Sequence, residues 1–186
     1  MSEKRMSDKA RRQEQRRCAI IAAARDRAES EGWTAVTTRH LADAIGYSQP
    51  VLYGHFPGGK SEIMLACALD GFVELGRMCR EAIEGKGHRE AVEAVAHSYL
   101  DFADANPAIY EVMFHEPIEA RFAEEDNETE LREGFSVLSE IIGDPVETEI
   151  FWGALHGIGT LEATGRMKAE HRAQRVAALA ARFGAT

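Results

Sequence analysis

The stretch from Thr37 to Lys60, which reads TTRHLADAIGYSQPVLYGHFPGGK, constrains the fold of this 186-residue chain more than any other. Its pattern predicts two short helices separated at Gly46, where a left-handed residue would end the first helix. Apolar residues at helical spacing give that first helix one buried face: Leu41, Ala42 and Ile45. Ser48 is placed to cap a second helix, whose first turn tolerates Pro50. Two helices crossing over so short a turn indicate a helix-turn-helix, a motif that enters DNA grooves.

The same block contains a competing motif. Gly54–Ser61, reading GHFPGGKS, matches G-x-x-x-x-G-K-[ST], the phosphate loop of nucleotide hydrolases. That loop needs a strand before it and a long helix after it, whereas the residues before Gly54 have a helical pattern. The sequence therefore favours the helix-turn-helix and keeps P-loop nucleotide binding as an alternative. Saturable ATP binding that is lost in Lys60→Ala would support the alternative.

Charge is distributed unevenly along the chain. The net charge is −9, which taken alone argues against a nucleic-acid partner. Residues 1–60, however, contain 11 Lys and Arg against 7 Asp and Glu, whereas residues 61–186 contain 11 against 24. A basic first third on an acidic remainder is typical of a chain whose amino-terminal part meets a polyanion.

Composition narrows the class of protein further. No apolar run is long enough to span a bilayer, and the charged start of the chain lacks the apolar core of a secretion signal. The three cysteines form no CxxC pair and fall within apolar helical patterns: Cys18, Cys67 and Cys79. We expect reduced, buried thiols in a cytoplasmic protein with no membrane contact. A regulator that senses oxidants through Cys67 or Cys79 remains a second alternative.

Hydrophobic periodicity predicts an all-α fold of about nine helices and no strand. Residues 1–15 form a polar arm, and the acidic segment Glu124–Glu130 is expected to be a loop. Besides the two helices of the opening block, the predicted helices are Arg16–Glu31, Ser61–Glu84, His88–Ala105, Ala108–His115, Thr129–Ile142, Val146–Gly165 and Lys168–Phe183. We expect a three-helix DNA-binding head over residues 1–60, and an effector-binding and dimerisation body over residues 61–186.

These residues resemble the tetracycline-repressor (TetR) family of bacterial transcriptional regulators. The resemblance rests on Gly32, Thr37-Thr38, Leu41-Ala42, Gly46, Leu52-Tyr53-Gly54-His55-Phe56 and Lys60. In the body, Tyr110-x-x-Met113-Phe114 and the run from Phe151 to Gly157 are similar to a subgroup named for its Trp-His-Gly-containing effector domain. One departure is the spacing from Phe56 to Lys60, which is one residue longer than the commoner pattern and changes where Lys60 is expected.

The resemblance places Gln49, Pro50 and Tyr53 on the groove-facing side of the recognition helix, and their position in its first turns agrees. The Gln49 amide suits bidentate pairing with adenine, while Pro50 and the Tyr53 ring suit thymine methyls. Phosphate contacts are expected from Thr37, Thr38, Arg39, His55 and Lys60, with contact to guanine as the alternative for Arg39. The alternatives are that Thr38 only caps its helix and that Tyr53 only covers the core of the head.

The body carries two further predictions. A stripe of small and apolar residues suits a homodimer interface: Ile150, Gly153, Ala154, Gly157, Ile158 and Leu161. The resemblance implies that the two subunits pair through a four-helix bundle. The alternative is that these residues pack within one subunit. Aromatic and polar residues are candidates to bind a small apolar or aromatic effector, or else are plain core: Tyr99, Phe102, Tyr110, Met113, Phe114, Trp152 and His156.

The histidines lack metal-ligand spacing, and no nucleophile–base signature is present, so we expect no metal, no cofactor and no enzyme activity. The predicted function is a DNA-binding transcriptional regulator. Its expected form is a dimeric repressor released from a palindromic operator by an effector that moves the helix beginning at Ser61.

Overall fold

Nine α-helices and two 3-10 turns account for the regular structure in the computed structural model, which describes residues 8–114 and 128–185 but not the side chains of residues 128–134. No strand occurs within those ranges, so the all-α prediction is confirmed. The helices are α1 (Asp8–Glu31), α2 (Thr38–Ala44), α3 (Gln49–His55), α4 (Lys60–Ile83), α5 (His88–Ala105), α6 (Pro107–Phe114), α7 (Glu128–Ile142), α8 (Pro145–Ala163) and α9 (Arg172–Phe183). The 3-10 turns are Trp33–Ala35 and Ala169–His171.

The first helix begins earlier than its apolar pattern predicts. It starts at Asp8 instead of Arg16, so the polar arm is helical from that residue onward. The added segment consists mostly of Arg, Gln, Lys and Glu, which have good helix propensity even where a helix has no apolar face. Arg11 also pairs with Asp8 at 3.0 Å. The prediction of an acidic loop over Glu124–Glu130 is wrong for its last three residues, because α7 begins at Glu128. Residues 124–127 lie outside the described residues.

The described residues fall into two compact units. The first contains α1, α2, α3 and the start of α4 up to Ala68, together with α6 from Ala108 onward. The second contains the rest of α4 from Leu69, then α5, α7, α8 and α9. One uninterrupted helix, α4, therefore contributes residues to both units. None of the described helices is long and apolar enough to cross a membrane.

The core of the first unit is built on one face of α1. Ile20, Ala24 and Ala28 recur at intervals of four residues and are buried. Trp33 and Val36, in the connector that follows α1, are buried as well. The other helices of this unit, and Phe56 directly after α3, contribute buried apolar side chains as well: Leu41, Ala42, Leu52, Phe56, Ile63, Ile109 and Val112.

The core of the second unit centres on α5, which packs against α7, α8 and α9. Its fully buried aromatic side chains include Tyr99 and Phe102, and Phe151 of α8 lies 5.1 Å from Phe183 of α9, centroid to centroid. An ion-pair network joins α5, α8 and α9. The Glu162 carboxylate, only 4% exposed, accepts from Arg172 and Arg175, and Arg172 also pairs with Asp104 at 2.6 Å.

Candidate nucleic-acid interface

The turn between α2 and α3 is set by Gly46. Its φ of 71° lies in the left-handed region that a glycine adopts without strain. The N–H of Tyr47 donates to the Ala42 carbonyl at 2.9 Å and that of Gly46 to the Asp43 carbonyl at 3.2 Å, the bonding of a Schellman stop. The predicted helix stop at Gly46 is confirmed, and it brings α3 directly after α2.

The start of α2 carries three predicted contact residues. The Thr37 hydroxyl caps the helix, accepting from the N–H of His40 at 3.2 Å. The residue that caps is therefore Thr37, whereas the sequence considered Thr38 for that role. All three residues lie at the start of α2, where the N–H groups of the helix favour an anion. Thr37 and Arg39 are exposed there, and Thr38 is half-buried.

The recognition helix α3 separates a polar face from a buried one. Leu52 is fully buried, while Gln49, Pro50 and Tyr53, spaced at i, i+1 and i+4, are exposed. Ser48 occupies the N-cap position, but its hydroxyl makes no capping bond. Pro50 has no N–H to offer it, and the N–H of Val51 bonds to the Ser48 carbonyl at 3.0 Å instead.

The Tyr53 ring is placed by its neighbours. A Cβ added at Gly59 would lie 3.4 Å from Cε1 of Tyr53 and 4.0 Å from the Thr38 methyl, so both groups face the Gly59 backbone. The ring is nevertheless 45% exposed. Tyr53 is therefore open to solvent on part of its surface, and its contact with DNA stays a prediction.

The connection from α3 to α4 explains the unusual spacing before Lys60. The N–H of Gly59 donates to the Phe56 carbonyl at 2.9 Å, closing a turn over Pro57 and Gly58. The Glu62 carboxylate then reaches back to the N–H of Gly58 at 2.7 Å. The Lys60 ammonium donates to the Trp33 carbonyl, an intramolecular partner that the sequence did not suggest. Phosphate contact by Lys60 stays a prediction. His55 lies half-buried in the last turn of α3.

The same geometry gives no support to the nucleotide-loop alternative. Gln49–His55 form a helix where a phosphate loop requires a strand. The N–H of Gly58, which would face a phosphate, is bonded to a carboxylate. The match of Gly54–Ser61 to the motif is therefore a coincidence of composition at a helix-turn-helix boundary.

A connection within the first unit was missed by sequence reasoning. The Glu29 carboxylate of α1 accepts from the N–H groups of Ala108, at 3.1 Å, and Ile109, at 3.0 Å. It thereby caps the start of α6, where two free N–H groups favour a negative charge. Nothing local to Glu29 announces this contact, because its partners are about 80 residues away in the chain.

The predicted effector-binding residues fall in different units. Tyr99, Phe102, Trp152 and His156 belong to the second unit, whereas Tyr110, Met113 and Phe114 belong to the first. In the second unit the Trp152 indole N–H donates to the Tyr99 hydroxyl at 3.2 Å, and the Phe135 ring meets Trp152 edge-on. The His156 ring lies 6.4 Å from that of Trp152. In the first unit the Tyr110 and Phe114 rings are 4.7 Å apart. Among the described residues, no cluster of three metal-ligating side chains is present.

The predicted dimer stripe lies on an open face of α8. Ile150 is 46% exposed, and a Cβ added at Gly153 or at Gly157 would meet none of the described atoms within 4 Å. The dimer interface at these two glycines stays a prediction. Val146, 62% exposed, extends the same face by one turn. The other predicted residues, Ala154, Ile158 and Leu161, are half-buried.

The cysteines offer little to a redox mechanism. Cys67 and Cys79 are buried, and burial raises the pKa of the Cys79 thiol to about 12, against a smaller opposing effect of the Arg80 charge. A thiol in that state is rarely the reactive thiolate. Cys18 is exposed, so the expectation that all three thiols are buried is wrong for it: it lies before Ile20, where the buried face of α1 begins.

Comparison with known proteins agrees with this geometry. The model of the tetR family of bacterial regulatory proteins matches residues 20–67, and the tetracyclin repressor-like C-terminal domain matches residues 92–183. The chain therefore belongs to the TetR family of bacterial regulatory proteins. The narrower resemblance to the Trp-His-Gly subgroup stays a prediction.

Two curated relatives share part of the sequence. The uncharacterised HTH-type transcriptional regulator YobS of Bacillus subtilis is 30% identical over 92 residues, which cover 50% of this chain and 48% of YobS. The nucleoid occlusion factor SlmA of Vibrio vulnificus is 33% identical over 87 residues, covering 45% of this chain and 43% of SlmA. The chain thus spans about half the length of the curated relatives it matches.

Solved structures share the fold. A protein of unknown function from Rhodococcus sp. RHA1 aligns with a TM-score of 0.74 at 22% identity, covering 91% of this chain and 93% of its own. A TetR family transcription regulator from Marinobacter aquaeolei VT8 aligns with a TM-score of 0.65 at 15% identity, covering 92% and 96%. At these identities the likeness concerns the fold alone.

Proposed function

We propose that this chain is a sequence-specific DNA-binding transcriptional regulator of the cytoplasm. The observation that carries the proposal is the face of α3 formed by Gln49, Pro50 and Tyr53. That face is exposed and follows a tight helix-turn-helix stop, while Leu52 anchors the opposite side of the same helix in the core. Side chains in the first turns of such a helix reach base edges in the major groove, and Thr37, Thr38 and Arg39 lie where phosphates fix the register.

The regulator acts as a homodimer on a palindromic operator. One short recognition helix reads only a few base pairs, so two heads related by symmetry are needed for useful specificity. The open face of α8 supports a two-fold contact, because glycines with free space let a partner helix approach closely while Val146 and Ile150 provide apolar area.

A small apolar or aromatic effector controls the affinity for DNA, releasing the repressor from its operator. The cluster of Tyr99, Trp152 and His156 in the second unit combines aromatic surface with polar groups, as effector sites do. The continuous helix α4 carries residues of both units and is the element whose shift would reach the head. An effector can release the repressor only if it binds the DNA-free conformation more tightly than the DNA-binding conformation.

Selection of bound sequences from random duplex DNA by the purified protein tests the function. Enrichment of a palindromic site is expected, since a symmetric dimer reads two inverted half-sites. Enrichment of a single unrepeated half-site would contradict the dimer, and no enrichment over unselected DNA would contradict the function.

A further inference from the structure

Three basic residues lie on one face of the first turns of α1. Lys9, Arg12 and Arg16 are spaced by three and four residues, so their side chains share a face of the helix. Lys9 and Arg12 are exposed. Four residues beyond Arg16, the same face carries Ile20 into the core of the first unit. The basic face is thus the amino-terminal continuation of the side of α1 that packs on the helix-turn-helix.

Arg16 joins this basic face to the start of the recognition helix. Its guanidinium carbon lies 5.3 Å from the centroid of the Tyr47 ring. Tyr47 stands in the turn between α2 and α3, is 39% exposed, and immediately precedes the N-cap Ser48. The end of the basic face therefore lies beside the residues proposed to read bases.

Arg11, which lies in the same turns of α1, is on a different face and forms an ion pair. Arg11 pairs with Asp8 at 3.0 Å, and its position on the helix is away from the face of Arg12. No ion pair with another described residue engages Lys9, Arg12 or Arg16. The distance along the helix axis from Lys9 to Arg16 is about 10 Å, at a rise of 1.5 Å per residue. This distance equals the rise of about three base pairs along the DNA axis.

We propose that Lys9, Arg12 and Arg16 bind DNA phosphates beside the base pairs that α3 reads, extending the interface beyond the helix-turn-helix. This inference rests on the proposed function. Lysine and arginine side chains bind phosphate oxygens without reading sequence, so the contribution is to affinity and salt dependence. Tyr47 holds the Arg16 guanidinium in place and so aligns the face with the groove.

The test measures salt dependence with a random-sequence duplex of about 30 base pairs, long enough for two half-sites. Each phosphate contact contributes about 0.9 to the slope of log affinity against log salt. Lys9→Gln/Arg12→Gln is therefore expected to lower the slope by about 2 per head, with weaker binding at all salt concentrations. Both residues are exposed and Gln favours helix, so circular dichroism should show an unchanged fold.

Arg11→Gln is the matched control, because it removes one charge from a different face of the same turns. Its slope is expected to remain close to that of the parent protein. An unchanged slope in the double variant, or an equal loss per charge in the control, would overturn the inference and leave the proposed function standing. Failure of the parent protein to bind any duplex at low salt would instead remove the proposed function, and this inference with it.

Discussion

The indole N–H of Trp33 donates a 2.7 Å hydrogen bond to the carbonyl oxygen of Ala108, 75 residues further along the chain. The Trp33 carbonyl in turn accepts from the Lys60 ammonium, and the Glu29 carboxylate accepts from the N–H groups of Ala108 and Ile109. Within the first unit, the connector after α1 is therefore bonded both to the start of α4 and to the start of α6.

Replacing Glu29 tests the capping of α6. Glu29→Ala removes two charge-assisted bonds from a helix start and should lower the free energy of unfolding by about 1–3 kcal/mol. Glu31→Ala is the control, since that exposed carboxylate forms a surface ion pair with Arg27 and its loss is expected to change stability by less than about 0.5 kcal/mol. Urea denaturation measures both, and hydrogen exchange at the amides of Ala108 and Ile109 should accelerate only in Glu29→Ala. Equal effects of the two variants would contradict the capping role.

Replacing Tyr53 tests base reading by α3. Tyr53→Ala should abolish specific binding, a loss of at least about tenfold on the selected duplex, because an aromatic contact with bases disappears. The thermal melt should change little, since nearly half of the ring is exposed. Tyr53→Phe keeps the ring and loses only contacts of the hydroxyl. Fluorescence anisotropy with selected and random duplexes separates these effects, and unchanged affinity in Tyr53→Ala would rule out the proposed role.

Filling the open space at Gly153 tests the dimer. The Cβ of a leucine at Gly153 would meet no described atom of its own subunit within 4 Å, so the monomer is expected to fold, yet the new side chain would block a partner helix. Sedimentation equilibrium is expected to show a dimer for the parent protein and a monomer for the variant. Ala105→Leu, at an exposed position on α5, should remain dimeric. A Gly153→Leu protein that stays dimeric would place the interface elsewhere.

The Glu162 network makes the second unit sensitive to acid. Burial raises the pKa of Glu162, but hydrogen bonds from Arg172 and Arg175 outweigh it and hold the pKa below the ordinary 4.5. A lowered folded-state pKa means that the stabilisation is complete above 4.5 and is lost as the pH falls through the lower folded value. Glu162→Gln should therefore destabilise by about 3 kcal/mol at neutral pH, and the difference from the parent protein should shrink in acid.

Urea unfolding near neutral pH and at a series of pH values below 4.5 measures this difference. Glu170→Gln is the matched control, because that carboxylate is well exposed and its pairing with Lys168 is expected to contribute almost nothing. A gap between Glu162→Gln and the parent protein that stays constant with pH would show that the charge of Glu162 is not what stabilises the unit.

Features that depend only on neighbouring residues follow from the sequence. The stop at Gly46 follows from a left-handed backbone that glycine adopts readily, and the buried side of α3 follows from helical spacing. Residue type predicts a cap at Ser48, but its hydroxyl makes no capping bond, since Pro50, two residues further on, has no N–H to donate. The early start of α1 was missed because a helix without an apolar face has no periodicity to detect.

The sequence by itself determined that the chain is helical, that Thr37–Lys60 forms a helix-turn-helix, and that its basic residues gather in the first third. These properties depend on residues within a few turns of one another. Only the tertiary structure decided that Lys60 bonds to Trp33, that Glu29 caps α6, and that Gly153 faces open space. Such contacts join residues far apart in the chain, or depend on what does not pack nearby, and neither follows from helical periodicity.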